Sequence, residues 1–195
     1  MKKPPHRAEG QIRIIGGKWR GRKLPVPHSI GLRPTTDRVR ETLFNWLAPV
    51  IENARCLDCF AGSGALGFEA LSRHAGHVTL LELEPAVARL LESNRLKLNA
   101  SEAHIINADT LNWLRQYGKP YDVIFIDPPF RKGLLEQALP LLEEYGWLAA
   151  EATIYIESAA ESDAPVVPAN WHLCRQKKAG QIAYRLYQRQ PVKEE

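Results

Sequence analysis

From about residue 54 the chain alternates short apolar runs with segments of helical period, and few folds accommodate that rhythm. Ala54–Phe60 reads as a strand and precedes a helix from about Ala65 to Arg73. Val78–Leu83 precedes a helix opened by Pro85, whose fixed φ suits a first turn. Val87, Leu90, Leu91 and Leu98 of that helix are expected to face inward. Ala103–Ile106 precedes a helix around Thr110–Arg115, Asp122–Ile126 one around Leu134–Glu144, and strand Thr153–Glu157 follows. Strands that are apolar on both faces need cover on both, which implies a parallel sheet between two helical layers. The end differs. His172–Gln176 and Ile182–Gln188, joined around Ala179-Gly180, read as a hairpin at one edge. The expected class is α/β, doubly wound, with a mostly parallel sheet and a C-terminal antiparallel hairpin.

Ahead of this region, Pro34-Thr35-Thr36 marks a helix start with either threonine as N-cap. That helix runs to about Ala48, before Pro49, with Val39, Leu43, Trp46 and Leu47 as its apolar stripe. Arg38 and Arg40 are expected on other faces.

Charge is distributed unevenly. Residues 1–40 hold 11 Lys and Arg against two acids, Glu9 and Asp37, a local charge of +9. The other 15 bases and 20 acids give −5. A basic arm on a mildly acidic body suits a polyanionic partner. Residues 1–10 read as a solvated tail. In residues 11–40, Arg13, Lys18, Arg20, Arg22 and Lys23 interleave with Ile12, Ile14, Ile15, Trp19 and Leu24, which a disordered tail would lack. These bases with Trp19, Arg33 and Arg38 are the candidate nucleic-acid contacts. The chain divides into a basic N-terminal arm, 1–34, and a main domain, 35–195.

Cys56-x-x-Cys59 stands alone, with Cys174 far off. A redox pair or half a zinc site is conceivable for such spacing, but residues three apart in a strand face opposite ways. Two buried apolar cysteines and no metal are expected. No apolar run spans a bilayer and MKKPPHRAEG has no apolar h-region, so a cytoplasmic protein is expected.

In a doubly wound sheet, ligands sit beyond the carboxyl ends of the strands. Four segments converge there. The first is Asp58-Cys59-Phe60-Ala61-Gly62-Ser63-Gly64-Ala65-Leu66-Gly67, whose glycines allow a sharp turn and close ligand approach. Glu82 ends the second strand and is placed to accept from both ribose hydroxyls. Asp109 follows the third strand and suits an adenine amino group. Asp58, Phe60, Ala61, Gly62, Ser63, Gly64, Glu82 and Asp109 are therefore the candidate cofactor residues. Gly62, Gly64, Gly67 and Glu82 also fit a dinucleotide fingerprint. Asp58, however, would repel a pyrophosphate and suits a ligand with an amino group and a sulfonium.

The fourth segment follows the buried strand Tyr121–Ile126 directly: Asp127-Pro128-Pro129-Phe130. Two prolines fix φ and donate no N–H, giving a rigid turn. A side-chain oxygen of Asp127 and the Pro128 carbonyl are placed to accept both protons of an exocyclic amine. The nitrogen lone pair is then free to meet a methyl group, a catalysis of orientation and placement. Phe130 would stack on a base already out of its helix. Asp127, Pro128, Pro129 and Phe130 are the candidate catalytic residues.

These motifs resemble class I S-adenosylmethionine-dependent methyltransferases that modify amino groups, whose signature is (Asp/Asn)-Pro-Pro-(Tyr/Phe). More narrowly, the chain resembles the bacterial 16S rRNA guanine N2-methyltransferases of the RsmD type. The residues that carry this are Arg13–Gly17, Arg20-Gly21-Arg22, Arg33–Asn45, Asp58–Gly67, Asp127–Phe130 and Lys178-Ala179-Gly180-Gln181. The resemblance implies a seven-stranded Rossmann-like sheet, S-adenosyl-L-methionine as cofactor and a guanine in 16S rRNA as target. It also implies an assembling small subunit as the partner, and neither DNA nor membrane; a monomer is expected. Motif spacing alone leaves other readings open: a DNA adenine N6- or protein amide methyltransferase, an NAD-dependent oxidoreductase, or an RNA-binding module with a vestigial pocket.

Overall fold

In the computed structural model, residues 10–27, 35–130 and 133–192 are described. The arm supplies a small antiparallel pair, β1 (Gln11–Arg13) and β2 (Lys23–Pro25), linked through a 3-10 turn at Gly17–Trp19. Helix α1 (Asp37–Leu47) follows, capped by the Thr36 hydroxyl accepting from the Val39 N–H.

The alternation then resolves into β3 (Arg55–Asp58), α2 (Ala65–Ser72), β4 (His77–Glu82), α3 (Pro85–Lys97), β5 (Ala103–Asn107), α4 (Thr110–Leu114), β6 (Tyr121–Ile126) and α5 (Leu134–Glu144). Three strands, β7 (Leu148–Ala159), β8 (Trp171–Ala179) and β9 (Ile182–Arg189), complete the chain. The sheet has seven strands in the order β5-β4-β3-β6-β7-β9-β8. The first five are parallel, and β9 runs antiparallel to β7 and β8. The expected doubly wound sheet with an antiparallel edge hairpin is therefore found.

Side chains on the two faces of the sheet form two cores. Val78, Leu80, Val123, Phe125 and Tyr155 pack with α1, α2, α3 and the arm. Leu57, Leu81, Ile124, Ile126 and Ile154 pack with α4 and α5. Cys56 falls in the first core and Cys59 in the second, both buried free thiols. Burial pushes both thiols up, away from the reactive thiolate form. In α3, Val87, Leu91 and Leu98 are buried as expected, whereas Leu90 is only half-buried, at the margin of the apolar face.

Within the described residues, the arm is folded onto the body. Ile12, Ile14 and Leu24 are at most 4% exposed and belong to the first core. Glu69 of α2, fully buried, accepts the backbone N–H groups of Ile15 and Gly16 at 3.0 Å each. Ser72 donates to the Gly16 carbonyl at 2.6 Å and accepts from the Trp19 N–H at 3.0 Å. Gly17 has φ +78°, and a Cβ there would lie 1.9 Å from the Ser72 carbonyl oxygen, so only glycine fits.

Arg40 corrects the helical-face expectation. It is 1% exposed and reaches across the helix end. Its guanidinium donates to the carbonyls of Arg13 (2.8 Å) and Thr35 (3.3 Å), pairs with Asp37 at 2.7 Å, and lies 3.7 Å from Glu69. Helical periodicity placed it only off the apolar stripe, because the arm that covers it comes from a distant part of the chain.

Candidate active site

Five acids stand at or near the carboxyl ends of five neighbouring strands: Asp58 on β3, Glu82 on β4, Asp109 after β5, Asp127 after β6 and Glu157 on β7. The β3–α2 loop between them is pinned by its backbone. Cys59 N–H donates to the Phe125 carbonyl at 3.0 Å, Ala61 N–H to the Leu81 carbonyl at 2.9 Å, and Gly64 N–H to the Ala61 carbonyl at 2.8 Å. Gly64 has φ +78°, and a Cβ there would meet Leu91 and Phe68 at 2.7 Å. Ser63 Oγ accepts from the Ala65 N–H at 3.3 Å, and Phe60 lies half-buried against the second core.

Asp58 is 1% exposed and neither of its carboxylate oxygens completes a hydrogen bond. Burial pushes its pKa up to about 7, the Glu82 charge adds to this, and the amides of Gly67 and Phe60 oppose it only weakly. Glu82 is better placed. Its Oε2 accepts from Gly62 N–H at 2.9 Å and its Oε1 from Glu84 N–H at 3.0 Å. Burial still raises its pKa. Asp109 caps α4, with Oδ1 accepting from the Asn112 N–H at 2.9 Å. The adjacent Thr110 hydroxyl donates to the Cys59 carbonyl, tying this corner to the glycine loop.

At the end of β6, Pro128 is buried, Pro129 is exposed and Phe130 is half-buried. The Thr35 hydroxyl lies 3.4 Å from both Asp127 Oδ2 and Glu157 Oε2, and so bridges the two carboxylates. Tyr155, two residues before Glu157 on the same strand face, donates its O–H to Glu157 Oε2 at 2.9 Å. Burial first, then the Glu157 and Asp58 charges, hold Asp127 well above the usual carboxylate range. Glu157, 5% exposed, is also raised by burial. Sequence reading treated Glu157 only as the end of a strand. The available signal was an acid placed within an otherwise apolar buried strand.

The candidate nucleic-acid residues are divided by the fold. Arg33 lies outside the described residues. Arg38 is exposed near the amino end of α1, close to Thr35. Arg13 and Lys23 face each other across β1 and β2 and are exposed. Lys18, Arg20 and Arg22 are exposed too, but they sit by the carboxyl ends of α2 and α3. Arg22 donates to the Lys97 carbonyl at 3.1 Å, and the Lys18 ammonium lies 4.6 Å from the half-buried Trp19 ring. Helix α2 starts at the glycine loop and leads back to the amino end of β4. These three bases are thus a helix length from the acids.

Comparison with known proteins gives this geometry its family. Residues 12–188 match the family model described as conserved hypothetical protein 95. Small-subunit ribosomal RNA methyltransferase D of Escherichia coli K12 is 64% identical, over 97% of this chain and 96% of the relative. The chain belongs to the small-subunit rRNA methyltransferase D family. The Haemophilus influenzae member of the family is 54% identical, over 93% of this chain and 95% of its own length. A solved structure of a putative Escherichia coli methyltransferase superposes with TM-score 0.89 at 63% identity, covering 94% of this chain and all of that one. A Salinibacter ruber RNA methyltransferase, solved with S-adenosyl-L-homocysteine, shares the fold at TM-score 0.62 and 16% identity. The chain is accordingly a member of a methyltransferase family, and the methyl donor expected from its sequence is S-adenosyl-L-methionine.

The residues present fit that donor. Neither oxygen of the buried Asp58 carboxyl completes a hydrogen bond, and an amino-acid ammonium would supply the partner that holds it ionised. Gly64, at φ +78° and packed against Leu91 and Phe68, holds the turn of the loop in a shape that a residue with a Cβ could not keep. Each Glu82 oxygen, already holding one N–H, keeps a lone pair for a ribose hydroxyl.

Proposed function

We propose that this enzyme methylates the exocyclic N2 amine of one guanine in 16S rRNA, acting on an assembling small subunit as a cytoplasmic monomer. The observation that carries the reading is the pairing of two acids in different settings. Asp58 is a carboxylate with no partner, and Asp127 is a carboxylate within its electrostatic reach, mounted on a proline-stiffened turn.

When bound, S-adenosyl-L-methionine supplies an electrophilic methyl on a sulfonium. Asp58 would hold its ammonium, Glu82 its ribose and Asp109 its adenine amine, while Phe60, Ala61, Gly62, Ser63 and Gly64 form the wall of the cradle. Asp127 and the Pro128 carbonyl would accept the two amine protons, directing the nitrogen lone pair at the methyl. Pro129 stiffens the turn, and Phe130 stacks on the base. A pyrophosphate-bearing dinucleotide would meet the buried Asp58 charge, so the oxidoreductase reading is disfavoured. The 1–34 arm is our functional division of the chain; in packing terms residues 10–27 share the core of 35–195. Arg13, Lys18, Trp19, Arg20, Arg22, Lys23, Arg33 and Arg38 form the proposed RNA surface.

The experiment is mass-spectrometric mapping of methylated nucleotides in rRNA from a deletion strain, before and after complementation. The expected result is one N2-methylguanine lost and restored. Restoration of a different base, or of none, would overturn the choice of guanine. Calorimetry should show S-adenosyl-L-homocysteine binding and no NAD binding.

A further inference from the structure

Glu157 lies outside the motifs that define the site, yet it is built into the same cluster. It is 5% exposed at the inward face of β7, with Tyr155 donating to Oε2 at 2.9 Å. The Thr35 hydroxyl, 3.4 Å from Glu157 and 3.4 Å from Asp127, can donate to either carboxylate while accepting from the other. Among the described residues, no lysine or arginine forms an ion pair with Asp58, Asp127 or Glu157. The groups facing Glu157 are Tyr155 on its own strand, Tyr184 opposite it on β9, Thr35 before α1, and Asp127 after β6. Beyond Tyr184 the register places Lys177 of β8 on that face, exposed to solvent.

Two carboxylates that share one hydroxyl, Glu157 buried and Asp127 half-buried, cannot both ionise cheaply without a nearby cation. We infer that Glu157 is a positioning residue that acts through Asp127: bridged by Thr35, the two carboxylates share one proton and release it only when a sulfonium arrives. The inference rests on the role of Asp127 given above.

The amine nitrogen forms the N–C bond, the C–S bond breaks with its electron pair going to sulfur, and one proton leaves the nitrogen. Asp127 accepts that proton, and the Thr35 hydroxyl relays it to Glu157. Before transfer, two ionised carboxylates face one sulfonium; afterwards, a singly protonated pair faces a neutral thioether. The local charge is −1 in both cases, so the buried site never has to absorb a change of net charge. Asp58 stays outside this exchange, because donor and product carry the same ammonium.

The test is calorimetry near pH 7 in buffers of different ionisation enthalpy, comparing S-adenosyl-L-methionine with S-adenosyl-L-homocysteine. The wild-type protein should release about one proton more with the sulfonium ligand. Glu157→Gln should abolish that difference, keep S-adenosyl-L-homocysteine affinity, lower turnover about tenfold and remove one ionisation from the pH–rate profile. Glu157→Asp should recover part of the proton release. Equal proton counts for the two ligands in wild type, or a difference that persists in Glu157→Gln, overturn the inference. Asp127→Asn separates it from the reading it rests on. An active Asp127→Asn enzyme removes Asp127 from the chemistry altogether. An inactive one, beside a Glu157→Gln enzyme with the wild-type pH profile, removes only the role of Glu157.

Discussion

Glu69 accepts the backbone N–H of Gly16 at 3.0 Å, across 53 positions of sequence, from the interior of α2. The same carboxylate holds Ile15 N–H at 3.0 Å, Arg73 at 3.0 Å and Arg40 at 3.7 Å. One buried charge therefore secures the arm, α1 and α2. Glu69→Ala leaves the Arg40 guanidinium and two amides without their acceptor. A loss of about 3–5 kcal/mol is expected, the range for removing one partner of a buried pair. Urea denaturation checks the magnitude. Hydrogen exchange at Ile15 and Gly16 should accelerate more than exchange in β3 or β6.

Asp58 connects stability to pH. Its folded pKa, about 7, lies above the ordinary value of 3.8. Folding thus favours its protonated form. The associated stability is complete below about pH 4 and is lost as pH rises through about 7. Asp58→Asn should raise the melting temperature of the ligand-free protein at pH 8 by roughly 4–8 °C, equivalent to about 2 kcal/mol. At pH 4 the two proteins should melt alike. The same variant should bind S-adenosyl-L-homocysteine at least tenfold more weakly, because its ammonium loses a buried counter-charge. An unchanged affinity would remove Asp58 from the cofactor contact.

Gly64→Ala places a methyl where Leu91 and Phe68 already lie, at a φ of +78°. Destabilisation of about 1–3 kcal/mol is expected from backbone strain alone. The glycine loop must also shift, so cofactor affinity should fall with stability. Thermal melts with and without S-adenosyl-L-homocysteine measure both effects; a variant that keeps the full ligand-induced rise in melting temperature would show that the loop tolerates the change.

Charge reversal at Arg20 and Arg22 should weaken RNA binding while leaving S-adenosyl-L-homocysteine affinity unchanged. If each contacts one phosphate, the slope of log affinity against log salt should flatten by roughly 1.5–2. Unchanged slope and affinity would assign these two bases to solvent. Arg22 also donates to the Lys97 carbonyl, so a melt of the double variant is the appropriate control.

The sheet was legible because its signals are local. Apolar runs read as ending at Phe60, Leu83 and Ile126 lie within two residues of the strand ends, and Pro85 and the Thr35-Thr36 pair marked two of the helix starts. The limits of two strands were less so. β7 begins at Leu148, where Ala149, Ala150 and Glu151 are residues more common in helices, and pairing with Tyr121 of β6 extends it. β8 continues through Lys177 and Lys178 because its ladder with β9 runs to Ala179–Ile182. Arg40, Glu69 and Glu157 were misread or passed over for one reason. Each is buried against a distant segment, Arg40 and Glu69 against the arm and Glu157 against Thr35, and spacing along the chain carries no record of such partners.

The direction of α2 sets a length. The helix begins at the glycine loop and ends at Ser72, where the turn bearing Lys18 and Arg20 is docked. Its eight residues separate these stations by about 12 Å. An RNA that offers its amine to Asp127 and its phosphates to Lys18, Arg20 and Arg22 must reach along that whole flank. On the proposed RNA surface the protein would act as a gauge: an isolated nucleotide could fill the pocket, but only an RNA long enough to span the flank would engage both ends.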